Sequence, residues 1–282
     1  MNGSNGADAT KSFTVLVLAG QRNAADPVAT ARGYSHKALV PIHGTPMLVR
    51  VVRALLDSGR VKQILVSIEI PSLLDQLPAL QPLLESGVVR AVAAAGSPSM
   101  SVRAILEGNP SDLPLLVTTA DHPLLTPAMV RHFLSALPPQ ADVAAAVVQA
   151  SIIQRAYPGS IRTYFRFRDE AVTGCNLFAF LSPGAVRAAA FWRQVEQNRK
   201  KPLRMFLLLG PGAVLRFVTR TLTLSGAVER LSRRAGVTAA TIMMPFAEAG
   251  IDVDKPSDLA LAEAILANRQ EPGPVADVSP QR

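Results

Sequence analysis

Two groups of residues in this chain have the right types and spacing to act on phosphate, and a third stretch near the end is rich in acids. The first lies in "VLVLAGQRNAADPVATARGYSHKALVPIHGTPML", Val15 to Leu48, where Gly20 ends an apolar run and two cations, Arg22 and Lys37, follow. A strand running into Ala19-Gly20 presents backbone N–H groups at its end, and the absent Cβ lets a phosphate come close. Arg22 and Lys37 are candidates to balance charge that builds on a phosphoryl centre. The second is Asp121 in "LLVTTADHPLLTPAMV". A carboxylate at a strand's carboxyl end can hold a divalent cation with waters and substrate phosphates. Turn or capping chemistry is the competing reading of "ADHP". The third is "GIDVDKPSDLALAEAIL", with Asp252 and Asp254. Asp254 is assigned as the cap of the last helix, because Lys255-Pro256 follows it, with a ligand role as second choice. Asp258 reads most simply as a first-turn acid opposing the helix dipole.

The elements that must position these residues alternate in type. "TVLVLAG" is a continuous β-branched and leucine run, as in a strand buried on both faces. "TPMLVRVVRALLDSG" reads as a helix capped by Thr45, with Pro46 in its first turn and Gly59 at its stop. Further strands are expected at "QILVSIEI", "VVRAVAA", "LPLLVTTAD" and "DVAAAVVQA", with a second helix opening at Thr126-Pro127. This pattern predicts a mostly parallel sheet with helices on both faces, in which ligands bind beyond the carboxyl ends of the strands. From Ser151 the pattern changes to a hairpin around Asp169 and Glu170, then helices over 183–236. Strand "VTAATIMM" and a final helix close the chain. Residues 1–11 and 270–282 are expected to be disordered. The domain is expected over 12–269: a nucleotide half (12–150), an acceptor-side helical insertion (151–236) and a closing strand and helix (237–269).

Composition excludes several classes. At 49% hydrophobic and 18% charged the 282-residue chain is globular, and one cysteine, Cys175, rules out an intrachain disulfide framework. No apolar run approaches the ~20 residues of a membrane span, and "MNGSNGADATKS" lacks signal-peptide order, so a cytoplasmic location is expected. Eleven Lys/Arg against two Glu between Arg187 and Arg234 concentrate a charge of +9 there, against +8 for the whole chain. Such a segment wants an anionic neighbour or is a solvated helical face. Its apolar residues allow an anionic membrane surface, the domain itself or a second subunit as partner. The four histidines have no zinc-ligand spacing, though His36 and His122 flank Lys37 and Asp121 and are candidates to line a pocket. Cys175 lacks an activating neighbour, and no serine sits in a nucleophile elbow.

"VLAGQR…SHKALVPIHGTPML" resembles the signature of the MobA-like nucleotidyltransferases, of glycosyltransferase-A-type fold. Gly20, Arg22, Lys37, Leu39, Pro41, Gly44 and Pro46 match in order; Gln21 stands where a second glycine is usual, and the Arg-Met-Gly triplet is absent. The resemblance extends over most of residues 13–267 apart from about 185–236. It implies a Rossmann-like three-layer α/β fold with a helical insertion before the last strand and helix. It further implies Mg²⁺ as cofactor with Asp121 and Asp252 as its ligands, and Lys37 and Arg22 as catalytic cations. Nucleotide contacts would come from Leu18, Ala19, Gly20 and Gln21, and base or ribose contacts from Gly96, Ser97 and Ser101 in "AGSPSMSVRAILEG". Thr173 and Asn176 in "TGCNLFAF" would face the acceptor. The expected reaction transfers NMP from NTP to a phosphorylated small molecule, releasing pyrophosphate. CTP is favoured over GTP, and no nucleic acid is involved. The alternatives are a molybdenum-cofactor guanylyl- or cytidylyltransferase and, in another class, a degenerate nucleotide-binding or membrane-associated protein.

Overall fold

The computed structural model describes residues 12–21, 26–198 and 210–270. The expected disordered N-terminus, residues 271–282, Arg22 and the leucine-rich 203–208 lie outside the described residues.

The chain begins with β1 (Phe13–Leu18), α1 (Pro27–Ala31), β2 (Pro41–Ile42), β3 (Thr45–Pro46) and α2 (Met47–Leu56). It continues through β4 (Val61–Ile68), α3 (Gln81–Glu85), β5 (Val89–Ala93), α4 (Pro98–Gly108), β6 (Leu115–Thr119), α5 (Pro127–Ser135) and β7 (Val143–Gln149). Then come α6 (Ala150–Ala156), the hairpin β8 (Phe165–Arg166) and β9 (Ala171–Phe180), and helices α7 (Val186–Asn198), α8 (Pro211–Val218) and α9 (Leu224–Ala235). Strand β10 (Ala239–Met243) and helix α10 (Pro256–Gln270) follow. The main sheet has the order β10-β7-β9-β6-β1-β4-β5, with β8 paired to β9. Pairing is parallel except where β9 meets β6, β7 and β8.

Central strand β1 shows why three layers form. Successive side chains leave a strand on opposite faces. Val15 and Val17 join Leu48, Val52, Met129 and Phe133 of α2 and α5 on one face. Leu16 joins Val102, Ala185 and Ala189 of the α4–α7 side on the other. An uninterrupted apolar run is therefore what the strand needs.

Three local readings are corrected. Thr45 does not cap α2: it pairs with Ile42 across a tight turn in which His43 (φ 46°) and Gly44 (φ 74°) are both left-handed, and the helix starts at Met47 without a side-chain cap. Two positive φ values in succession make a type I′ hairpin turn, which needs Gly at the second position. The polar stretch after Gly20 is not all loop. Asp26 accepts from Val28 N–H and Ala29 N–H to start α1, whose Val28 and Ala29 pack with Leu259 and Ala262 of α10. Asp258 is more than a dipole partner, as the site makes clear.

Candidate active site

Strand β1 delivers Ala19 and Gly20 to the carboxyl edge of the sheet, and β6 delivers Asp121 two residues beyond its own end. The segment 250–254 lies across this edge. Gly250 makes that possible: a Cβ there would sit 2.6 Å from Val148 Cγ1 and 2.7 Å from Ile153 Cδ1, so only glycine lets the backbone pass so close. Val253 N–H then donates to Asp121 O at 2.9 Å. Ile251 and Val253 are buried, and the alternation of extended chain turns Asp252 and Asp254 the other way.

Two cations meet these carboxylates. Lys37, in a 3-10 turn (Lys37–Leu39) opened by His36, places Nζ 2.7 Å from Asp121 Oδ2 and 3.3 Å from Asp254 Oδ1. Burial works against the charged ammonium, but Asp121 and Asp254 outweigh it and its pKa is raised. Arg162, 8% exposed, donates from Nη1 to Asp252 Oδ1 at 2.7 Å and from Nη2 to Asp258 Oδ1 at 3.2 Å. Asp252 Oδ2 accepts from Asn176 Nδ2 at 3.1 Å. Asp258 uses its other oxygen, Oδ2, to accept from Asp254 N–H and Lys255 N–H. Asp258 thus organises the start of α10, and the Asp254 side chain is directed to Lys37.

Asn176 reaches Asp252 because β9 is irregular. The register shifts from Ala145↔Phe178 to Val147↔Gly174, leaving extra β9 residues opposite Ala146, and Asn176 has φ 49°. A bulge re-aims a side chain in this way, and asparagine tolerates the left-handed region. Thr173, ahead of the bulge, pairs with Val148, and its methyl group packs against the Gly250 backbone. Asn176 therefore joins the carboxylates, and Thr173 lines the strand beside them.

The donor set fits a hard divalent cation. Asp121, Asp252, Asp254 and Asp258 against Lys37 and Arg162 leave two negative charges uncompensated. Asp121 Oδ1 is buried with no hydrogen-bond partner among the described residues. Burial and the Asp254 and Asp121 charges raise the Asp252 pKa, a penalty that a bound cation would relieve. Among the described residues no group of three or more His/Cys/Asp/Glu is placed to hold a metal ion by itself. A hard cation bound at these carboxylates would need waters and substrate phosphates to complete its shell.

Beyond the end of β1, Gln21 links two loops: its Oε1 accepts from Lys37 N–H at 3.1 Å. Gln21 N–H donates to Glu69 Oε1 at 2.8 Å, and a Cβ on Gly20 would lie 2.8 Å from that oxygen. Leu18, Ala19 and Gly20 lead directly into this contact. Glu69 Oε2 is 3.7 Å from His36 Nε2. Ser97 caps α4 by accepting from Met100 N–H at 3.4 Å. Ser101 is buried, accepting from Ala95 N–H at 2.9 Å and Ser67 Oγ at 3.2 Å, so it braces the loop that carries Gly96. His122 is fully buried beside Asp121, and burial pushes its pKa down to about 4, which keeps the ring neutral. Burial likewise pushes the Cys175 thiol up, which makes it inert.

Sequence reasoning missed Arg162, Glu69 and the dual role of Asp258. Arg162 stands in "SIRTYFRFR", one of three arginines within seven residues, and nothing local sets it apart.

The mostly parallel sheet brings a glycine-ended strand, a lysine and several carboxylates together at its carboxyl edge, where open α/β sheets bind their ligands. Residues 15–207 match the MobA-like NTP transferase domain, and the chain belongs to that family. Among solved structures, the chain is similar to a hypothetical transferase from Thermus thermophilus, 29% identical, with a TM-score of 0.73 over 88% of this chain and 99% of that one. It shares its fold with 4-diphosphocytidyl-2C-methyl-D-erythritol synthase from Anaerococcus prevotii: TM-score 0.56, 10% identity, 91% and 99% coverage. It also shares it with a CMP:2-keto-3-deoxy-manno-octonic acid synthetase complexed with CTP: TM-score 0.56, 17% identity, 92% and 100% coverage. A search of curated proteins returns no match. No helix among the described residues is long and apolar enough to cross a membrane.

Proposed function

We propose that the protein transfers CMP from CTP to a phosphorylated small-molecule acceptor, with Mg²⁺ as cofactor. One observation carries the reading: Lys37 Nζ lies between Asp121 and Asp254 beside the Gly20-Gln21 loop. The choice of CTP draws on the "SMSV" entry to α4 and on the CTP complex of one structural neighbour.

In this reading the acceptor's phosphate oxygen attacks the α-phosphorus, the bond to the bridging oxygen breaks, and pyrophosphate leaves. No covalent enzyme intermediate is needed, so the chain's contribution is positioning and charge stabilisation. Lys37 would turn from the carboxylates to the α-phosphate as negative charge builds there. Asp121 and Asp252 would hold the cation, with Asp254 alongside. When bound, Mg²⁺ supplies positive charge against the phosphate oxygens. Backbone N–H groups at Gly20 and Gln21 would receive nucleotide phosphate, and Gly96 and Ser97 would approach base or ribose. Asn176 and Thr173 would face the acceptor. The role of Arg22 rests on its place in the sequence motif. The test is pyrophosphate release measured across four NTPs and a panel of sugar, polyol and alcohol phosphates, with and without Mg²⁺. Release with CTP and one acceptor class, abolished by a chelator, is expected; release with GTP alone would replace the nucleotide assignment.

A further inference from the structure

The insertion carries a surface that the transfer reaction does not use. The turn after β8 is tied to the turn after α8: Arg168 N–H donates to Leu222 O at 2.8 Å, and the rings of Phe167 and Phe217 meet edge-on at 5.7 Å. Hairpin and helix therefore form one face. On it Phe165 is 55% exposed, Leu215 62% and Val218 72%. Arg166, Arg168, Arg216 and Arg220 are exposed among these residues, and no ion pair engages them among the described residues. The two nearby acids are engaged elsewhere: Asp169 accepts from Leu224 N–H and Glu170 from Gln149 Nε2. Taken together the face keeps a net charge of +2 from four Arg and two acids.

We propose that this face docks on an anionic lipid surface. Large apolar side chains alternating with arginines suit a bilayer interface, where the apolar parts enter the acyl boundary and guanidinium groups reach the headgroups. A second copy of the chain suits it less, because a two-fold contact would set two net-positive faces against each other. Phe165 lies only three residues from Arg162, at most about 10 Å of chain, so docking brings the carboxylate site close to the lipid. The surface proposal stands without the transfer reading, since its test measures binding alone.

The experiment is vesicle flotation of the full chain. With 30% phosphatidylglycerol in phosphatidylcholine at low salt, the bound-to-free ratio should rise at least tenfold over phosphatidylcholine alone. About 0.5 M salt should reverse it, because screening there acts within a few ångströms. Each arginine near an anionic surface is worth about fivefold, so replacing Arg166, Arg168, Arg216 and Arg220 with Gln should abolish flotation. Leu215→Ser with Val218→Ser should also abolish it, with an unchanged melting temperature and unchanged pyrophosphate release from soluble acceptors. Three results overturn the proposal: wild type left in the soluble fraction at low salt, both variants floating like wild type, or gel filtration finding a dimer that Leu215→Ser with Val218→Ser splits.

Discussion

Lys37 and Arg162 each straddle two carboxylates at the same edge of the sheet, yet the two clusters differ in what they leave unsatisfied. Arg162 and Asp258 are each 8% exposed, Asp252 has partners on both oxygens, and the guanidinium bridges the bulge side to the start of α10. Lys37 offers a single ammonium on a flexible stem, its partner Asp254 is 69% exposed, and Asp121 keeps a buried oxygen without a partner among the described residues. Planar guanidinium groups suit fixed bidentate duty, whereas an ammonium is a point charge that re-aims at little cost. The contrast separates two tasks: Arg162 fixes the Asp252 carboxylate and the start of α10 in place, and the Lys37 group can exchange partners as phosphates arrive.

Asp121→Asn should show the largest effect. It keeps size but removes one charge from the Lys37 group, and loss of a group acting on transition-state charge typically lowers the rate ~10²–10³-fold. Pyrophosphate release reads this directly, alongside a melting curve close to wild type. A variant that keeps more than a tenth of the activity would remove Asp121 from the cation site. Lys37→Ala should follow, lowering kcat more than it raises KM for NTP, because its charge matters most as the α-phosphate becomes pentacoordinate. A change confined to KM would make Lys37 a uniform binding contact.

Arg162→Ala tests the fixing role and should be read first in stability. Removing one partner of a buried ion pair leaves charge unpaired and typically costs about 3–5 kcal/mol, so the urea midpoint should fall well below that of Lys37→Ala. Arg162→Lys should recover only part of the loss, since one ammonium cannot satisfy Asp252 and Asp258 in the same geometry. If Arg162→Ala melts like wild type and loses only activity, the fixing role fails and Arg162 touches substrate.

The two clusters were also unequally legible. Lys37 and Asp121 stand beside local signals, a glycine ending a β-branched run and a strand ending in Thr-Thr-Ala-Asp, so short windows suffice. Arg162 meets Asp252 across 90 positions, through a β9 bulge and a closely packed Gly250 that no local pattern announces. The cap assignment at Asp254 failed for a related reason. Both Asp254 and Asp258 satisfy cap chemistry by type, and only the extended chain at 251–253, alternating buried and exposed, sends Asp254 toward Lys37. Strand and helix types followed from periodicity, whereas the short α1 and the Pro41–Pro46 hairpin depended on turn chemistry inside what reads as loop.

Glu69 gives the smallest predicted effect and sharpens the comparison most. Its carboxylate accepts from Gln21 N–H and lies against Gly20, where an incoming phosphate is expected to bind. Glu69 lies against the Gly20-Gln21 loop rather than the aspartate cluster, so an NTP bound as proposed must displace it or bear its repulsion. Glu69→Gln keeps an acceptor for Gln21 N–H and deletes the charge. The side chain is 44% exposed and its field is screened, so the gain should be about 0.5–1 kcal/mol, the scale of exposed charge pairs. The expected outcome is a KM for NTP lowered roughly two- to fivefold, with kcat within about twofold of wild type. Raised ionic strength should shrink the difference, because surface charges are screened. A KM that rises instead would mean that Glu69 accepts a hydrogen bond from the nucleotide itself. The carboxylate would then belong with the Lys37 group rather than stand in the way of its substrate.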